Sequence, residues 1–159
     1  MTKEEILDIL QQIKDPEIPN LSVIELGMIR DVELSAPNAV IVRFTPTYSG
    51  CPATTLIKME ILQRLKEAGV EHIEIVEQLS PPWTTESFSP HALEKLRQAG
   101  IAPPHPHHKR GEDPPALGIP CPYCESTDTK LLSAFGTTAC KALYQCNSCG
   151  QPFDYFKCH

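Results

Sequence analysis

The sequence predicts an α+β protein. A small three-stranded-sheet domain of element order α-β-β-α-β-α is followed by a β-rich ribbon stapled by a metal ion. Three observations carry this reading. Apolar residues recur at helical spacing in two segments and alternate with strand period over 39–46, between shorter runs that read as two more strands and a third helix. A proline-rich stretch near residues 103–118 interrupts both patterns. Beyond it, two Cys-x-x-Cys pairs, CPYC and CNSC, stand 21 residues apart.

Thr2 and Glu5 have the spacing of a capping box, and Ile6, Ile9, Leu10 and Ile13 form an apolar stripe, so a helix is expected over 3–13. Two prolines in DPEIPN end it, and an acidic loop carrying Asp15, Glu17 and Glu25 is expected there. MIRDVEL (28–34) and AVIVRFTP (39–46) read as strands joined by a Pro37-Asn38 turn, with Val40, Val42 and Phe44 on one face. A long amphipathic helix follows over 53–68, with the stripe Ile57, Ile61, Leu65 and Ala68 and a stop at Gly69. HIEIVEQL (72–79) is the third strand. Ser89-Pro90 starts a short helix that Gly100 ends.

The domain organisation expected is therefore an α+β domain over 1–102, a Pro/His-rich linker over 103–118 and a ribbon over 119–159. The stretch 103–120 holds six prolines and three histidines without periodicity, so HPHHKR is expected to be solvated linker, not a ligand set.

Cys121, Cys124, Cys146 and Cys149 have the spacing of one tetrahedral site. Two residues between cysteines allow a single tight turn to aim both sulfurs at one ion. Four thiolates suit zinc, with iron as the alternative, and a protein-filled coordination sphere points to a structural metal. Cys140 and Cys158 lie close in sequence. Each is open to two readings: an additional ligand, or a small buried residue for Cys140 and a plain terminal thiol for Cys158. The aromatic residues of QPFDYFKCH are expected to pack on the ribbon sheet, with an aromatic interaction face as the alternative.

Composition excludes several classes. No apolar run reaches the length of a membrane span, and the charged, amphipathic N-terminus has no signal-like core, so a cytoplasmic protein without membrane partners is expected. Seven cysteines in a reducing compartment are then available for metal or chemistry. Residues 1–102 carry 9 basic and 15 acidic side chains, and residues 103–159 carry 5 of each. The basic stripe of a nucleic-acid binder is missing, so nucleic acid is not expected as a partner.

Cys51, in GCPAT, falls between a strand and the start of the long helix. A thiol at a helix N-terminus is favoured as thiolate by orphan amides and the helix dipole, and could attack an electrophile or bind iron or a nascent cluster. A buried junction cysteine is the competing reading. No His or Asn partner suggests hydrolase-type nucleophilic catalysis.

DPEIPNLSVIELGMIRDVEL, FTPTYSGCPAT and the PPWTTE turn together resemble the SufT-like family of small iron–sulfur-cluster assembly domains. The ribbon CPYC…FGTTACKALYQCNSCGQPFDYFKCH resembles that of PaaD-type (PaaJ) accessory subunits of phenylacetyl-CoA epoxidase systems. The resemblance covers nearly the whole chain apart from the linker. It implies an accessory component of aerobic phenylacetate degradation, without catalytic activity of its own, beside a di-iron oxygenase and an iron–sulfur flavoprotein reductase. Carried over, Cys51 matches the assembly domain's cysteine, Asp15, Pro16 and Glu17 match its acidic loop, and Cys121, Cys124, Cys146 and Cys149 match the ribbon ligands.

The leading expectation is thus a maturation factor that handles iron or a transient iron–sulfur cluster through Cys51 and docks a client, the reductase or the di-iron subunit, through the ribbon. A structural or regulatory subunit without cluster transfer is the alternative. An electron carrier with an iron-loaded ribbon is a third reading.

Overall fold

A computed structural model describes the chain except residues 48–52, 82, 85–86, 105–111, 137, 139 and 158–159, and the side chain of Pro19. It divides into two compact units, Met1–Ser89 and Pro90–His159. Among the described residues no helix is long and apolar enough to cross a membrane.

In the first unit, α1 (Lys3–Gln11) starts at the expected capping box. Thr2 Oγ1 accepts from the Glu5 amide at 3.2 Å, and the Glu5 carboxylate accepts from the Thr2 amide at 2.7 Å. The helix ends two residues early, and the acidic segment after it is not simply loop. Strand β1 (Lys14–Asp15) pairs antiparallel with β2 (Ile18–Ser22). The Asp15 carboxylate accepts the Glu17 amide at 2.7 Å, folding an Asx-type turn around Pro16, which has no donor to lose. The chain then turns over residues 22–27. The Ser22 hydroxyl and Glu25 carboxylate take each other's amides at 3.1 and 2.9 Å. Gly27 closes the turn at φ +71°, where an added Cβ would stand 2.6 Å from Ser87 Cβ, so no other residue fits.

Strand β3 (Ile29–Ala36) runs antiparallel to β4 (Ala39–Phe44). Helix α2 (Ala53–Glu67) then carries the chain to β5 (His72–Glu77), which lies parallel to β4. The result is the expected three-stranded sheet, in order β3-β4-β5. Alternation in β4 buries Val40, Val42 and Phe44, and the α2 stripe buries Ile57, Ile61 and Leu65. Helix α1 packs on β3 and α2. Loss of one such aliphatic side chain to alanine typically costs about 2–5 kcal/mol, so this face holds the unit together.

The second unit contains α3 (Pro90–Gln98), β6 (Ile101–Ala102), β7 (Thr129–Ser133), β8 (Lys141–Cys146) and β9 (Pro152–Phe156). Its sheet has the order β6-β9-β8-β7, with β6 parallel to β9 and the other pairs antiparallel. The compact division therefore falls after residue 89, whereas the sequence reading divides the chain after 102. Pairing explains the difference: Ile101 and Ala102 lie opposite Asp154 and Tyr155, and Ala102 joins the buried cluster of Ile119, Ala142, Tyr144, Phe153 and Tyr155. Tyr144 stacks on Phe153 (5.7 Å) and meets Tyr155 edge-on (5.4 Å), so the expected packing of the terminal aromatics on the sheet is present.

Part of the stretch expected to be linker is built into this unit. The Leu131 amide donates to the Ala116 carbonyl at 2.9 Å, Leu117 bridges Lys130, and the Tyr144 hydroxyl donates to the Pro115 carbonyl. Burial pushes the Tyr144 phenol up to about 12, so it remains a donor. The histidines of HPHHKR lie outside the described residues.

Candidate metal centre

The second unit brings Cys121, Cys124, Cys146 and Cys149 together, with all four sulfurs within 4.8 Å of one another. Cys121 Sγ lies 3.8 Å from Cys149 Sγ, and Cys124 Sγ lies 3.5 Å from Cys146 Sγ. A tetrahedron with metal–sulfur bonds of about 2.3 Å has an edge of about 3.8 Å, so the quartet has the dimensions of one tetrahedral thiolate site.

Each pair sits on the same local structure. In the first, the Glu125 amide donates to the Cys121 carbonyl (2.9 Å) and the Cys121 amide donates to the Ser126 carbonyl (2.9 Å). In the second, Gly150 donates to Cys146 (3.0 Å) and Cys146 donates to Gln151 (3.0 Å). Amides also face the first sulfur of each pair: Tyr123 N–H to Cys121 Sγ at 3.4 Å, and Cys149 N–H to Cys146 Sγ at 3.5 Å. These donors favour negative sulfur. The residue after each knuckle is left-handed, Glu125 at φ +64° and Gly150 at φ +78°. The two turns are tied by Ser126 to Ser148 (2.8 Å) and Asn147 Nδ2 to Asp128 Oδ1 (3.0 Å). In each pair the first cysteine is buried and the second exposed.

Without an ion the sulfurs share their charge unevenly. The Cys149 amide, with help from Cys124, draws Cys146 down to about 7. The Ser126 amide pulls Cys124 down, but its hydrogen bond with Cys146 and desolvation outweigh that and push it up to about 12. Cys149 is pulled down by the Gln151 amide yet raised on balance by burial and its sulfur neighbours. One thiolate is thus held by protonated neighbours, and a divalent ion would take the place of those protons. The residues fit a four-coordinate zinc or iron ion, with every ligand position protein-filled and none left for a substrate.

The other candidates are placed as follows. Cys140 is buried at the head of β8, with its sulfur 3.1 Å from Thr138 Oγ1, and it does not join the quartet. Asp15 is buried and occupied with its own turn, and Glu17 supplies the amide that it accepts. Cys51 and Cys158 lie outside the described residues. What the spacing could not show is the support around the first knuckle: Arg97 in α3 pairs with Glu125 at 2.6 Å, and the Tyr123 hydroxyl sits where a Cβ on Gly100 would be, 2.2 Å away. These contacts join segments that no local motif links.

The chain matches two family profiles. One, described as an iron–sulfur cluster assembly protein, covers residues 3–75, and the other, described as the PaaD zinc beta ribbon domain, covers residues 104–157. It is 49% identical over 97% of its length, and 92% of the relative's, to an Escherichia coli K12 protein provisionally named as a subunit of 1,2-phenylacetyl-CoA epoxidase. It is 32% identical to an Fe-S protein maturation auxiliary factor of Porphyromonas gingivalis, over 60% of this chain and 90% of that one. Among solved structures, a domain of unknown function, DUF59, from Bacillus anthracis superposes with a TM-score of 0.55 at 27% identity, covering 59% of this chain and 90% of that one.

Proposed function

Since the chain belongs to the PaaD family of 1,2-phenylacetyl-CoA epoxidase components, we propose that it is an accessory maturation factor of such an epoxidase system in phenylacetate degradation, assisting iron or iron–sulfur cluster insertion into a partner component. One observation carries this reading: a single chain joins an iron–sulfur assembly module to a cysteine-quartet ribbon of the epoxidase-associated type. The relationship of the first module to an Fe-S protein maturation auxiliary factor supports a role in metal delivery rather than in oxygen chemistry. In this reading Cys51 holds or passes the iron or cluster. The ribbon keeps one zinc ion of its own on Cys121, Cys124, Cys146 and Cys149 and presents a rigid surface to the client, the reductase or the di-iron subunit. Zinc suits the ribbon because it is redox-silent and needs no open coordination position.

The test is co-expression of the epoxidase components with the wild-type chain or its Cys51→Ala variant. Iron and acid-labile sulfide in the purified reductase and oxygenase are then measured. The variant is expected to leave at least one client under-loaded. Full loading of both would end the maturation reading.

The relative's designation as an epoxidase subunit favours a second reading, a stable structural component of the complex. Gel filtration with the other components separates the two. Stoichiometric co-elution without any effect on client metal content would select the structural role.

A further inference from the structure

The two knuckles are built alike, but their left-handed positions are not filled alike. The second has Gly150, which adopts φ +78° without steric cost. The first has Glu125 at φ +64°, a conformation a long side chain seldom takes unaided because Cβ crowds the following carbonyl. The Glu125 amide is the donor that closes the knuckle on the Cys121 carbonyl, so this backbone angle bears directly on where Cys121 and Cys124 point.

Something outside the knuckle holds it. The Arg97 guanidinium donates to Glu125 Oε1 at 2.6 Å and is itself oriented by Glu94 at 3.7 Å, one turn back along α3. Beside it, Gly100 (φ +75°) lets the Tyr123 hydroxyl approach so closely that an added Cβ would stand 2.2 Å away. Two independent contacts thus seat one knuckle on the C-terminal end of α3. That helix, Pro90–Gln98, lies in neither segment matched by a family profile, 3–75 or 104–157.

We propose that Arg97 is a positioning residue for the metal centre: by clamping Glu125 it holds the first knuckle in its ion-ready conformation. The inference rests on the reading that the quartet binds one divalent ion. The role of the clamp is kinetic and geometric. Arg97 touches no sulfur, and it selects the backbone state in which both sulfurs of the first pair face the ion.

The experiment uses the full chain loaded with zinc alone, or with cobalt alone as an optical probe. Zinc release to a chromogenic chelator gives the rate, and cobalt–thiolate absorption reports the geometry. Arg97→Ala is expected to release zinc about fivefold faster, the scale of one exposed ion pair. Arg97→Lys, which keeps the charge but loses the planar fork, is expected to fall between. Glu125→Gly removes the need for the clamp, so Arg97→Ala combined with Glu125→Gly is expected to return within roughly twofold of wild type. That rescue distinguishes positioning from general destabilisation. Wild-type release rates in Arg97→Ala, or no rescue by glycine, would overturn the proposal while leaving metal binding intact. A wild-type chain that retains neither zinc nor cobalt would overturn the metal reading as well. If Arg97→Ala does not fold, the Arg97→Lys rate with and without Glu125→Gly decides the matter.

Discussion

Trp83 and Leu26 are joined across the first unit by a hydrogen bond of 2.7 Å from the indole N–H to the backbone carbonyl, and both side chains are almost fully buried. The bond fixes Trp83 against the turn that ends at Gly27, and Phe88 meets the Trp83 ring edge-on at 5.4 Å. Trp83→Phe keeps much of the ring but strands the Leu26 carbonyl in a dry site. We expect a loss of about 1–3 kcal/mol. Trp83→Ala adds a cavity and is expected to cost about 3–5 kcal/mol. Chemical denaturation followed by far-ultraviolet circular dichroism checks both values, and a phenylalanine variant as stable as wild type would show that the hydrogen bond contributes nothing.

Metal removal should act on one unit. Structural zinc shows apparent binding energies of about 10–16 kcal/mol in zinc-finger peptides, more than the net stability of about 3–5 kcal/mol that a core of this size supplies alone. Stripping the ion, or replacing the buried Cys146 by Ser, is expected to abolish the near-ultraviolet signal of the Tyr144, Phe153 and Tyr155 cluster. The α1 and α2 helices should keep their far-ultraviolet signal. Elemental analysis should give one zinc per wild-type chain, and persistence of the aromatic signal after complete metal removal would contradict this account.

Metal retention should weaken as pH falls. The ion binds thiolates, so protons compete with it, and each thiol that is protonated in the free quartet must give up a proton on binding. Cys146, held down to about 7, is mostly thiolate by pH 8 and has little proton left to release there. Cys124, pushed up to about 12, still carries its proton, as does the raised Cys149. Zinc binding near pH 8 is therefore expected to release protons chiefly from Cys124 and Cys149 and little from Cys146. Below about 7, Cys146 adds its own proton to the competition and affinity should fall more steeply. Calorimetric titration in buffers of different ionisation enthalpy counts these protons, and release independent of pH would contradict the assignment.

Cys140 offers the matching control. It is buried, its sulfur lies 3.1 Å from Thr138 Oγ1, and it is not part of the four-cysteine cluster. Cys140→Ala is expected to leave metal stoichiometry unchanged and to cost roughly 1 kcal/mol of stability through lost packing. Half-occupancy in this variant would place Cys140 among the ligands after all.

Local patterns made much of this protein legible in advance. The alternation of Val40, Val42 and Phe44 and the Ile57–Ile61–Leu65 stripe each depend on one element's own period, and both gave the observed burial. The Cys-x-x-Cys spacing likewise announced the quartet, because each knuckle is a single turn. Features that depend on a distant partner were hidden. Pro16 and Pro19 disguised a short hairpin as a breaker, since nothing local shows that Lys14 will face Ser22. Ala116 looks like linker until Leu131 arrives beside it. The Arg97–Glu125 pair joins a helix to a knuckle 28 positions away, and no periodicity carries that information.

The pairing of Ile101 with Asp154 in β6 and β9 spans 53 positions of chain. An ion gripped between the knuckles offers a shortcut through the sulfurs and removes about half of that path. Since the closure cost grows with the logarithm of the path, the saving is only about 0.6 kcal/mol. A bound ion would thus ease the meeting of the outer strands only slightly, and its larger contribution would be as an anchor for the finished sheet.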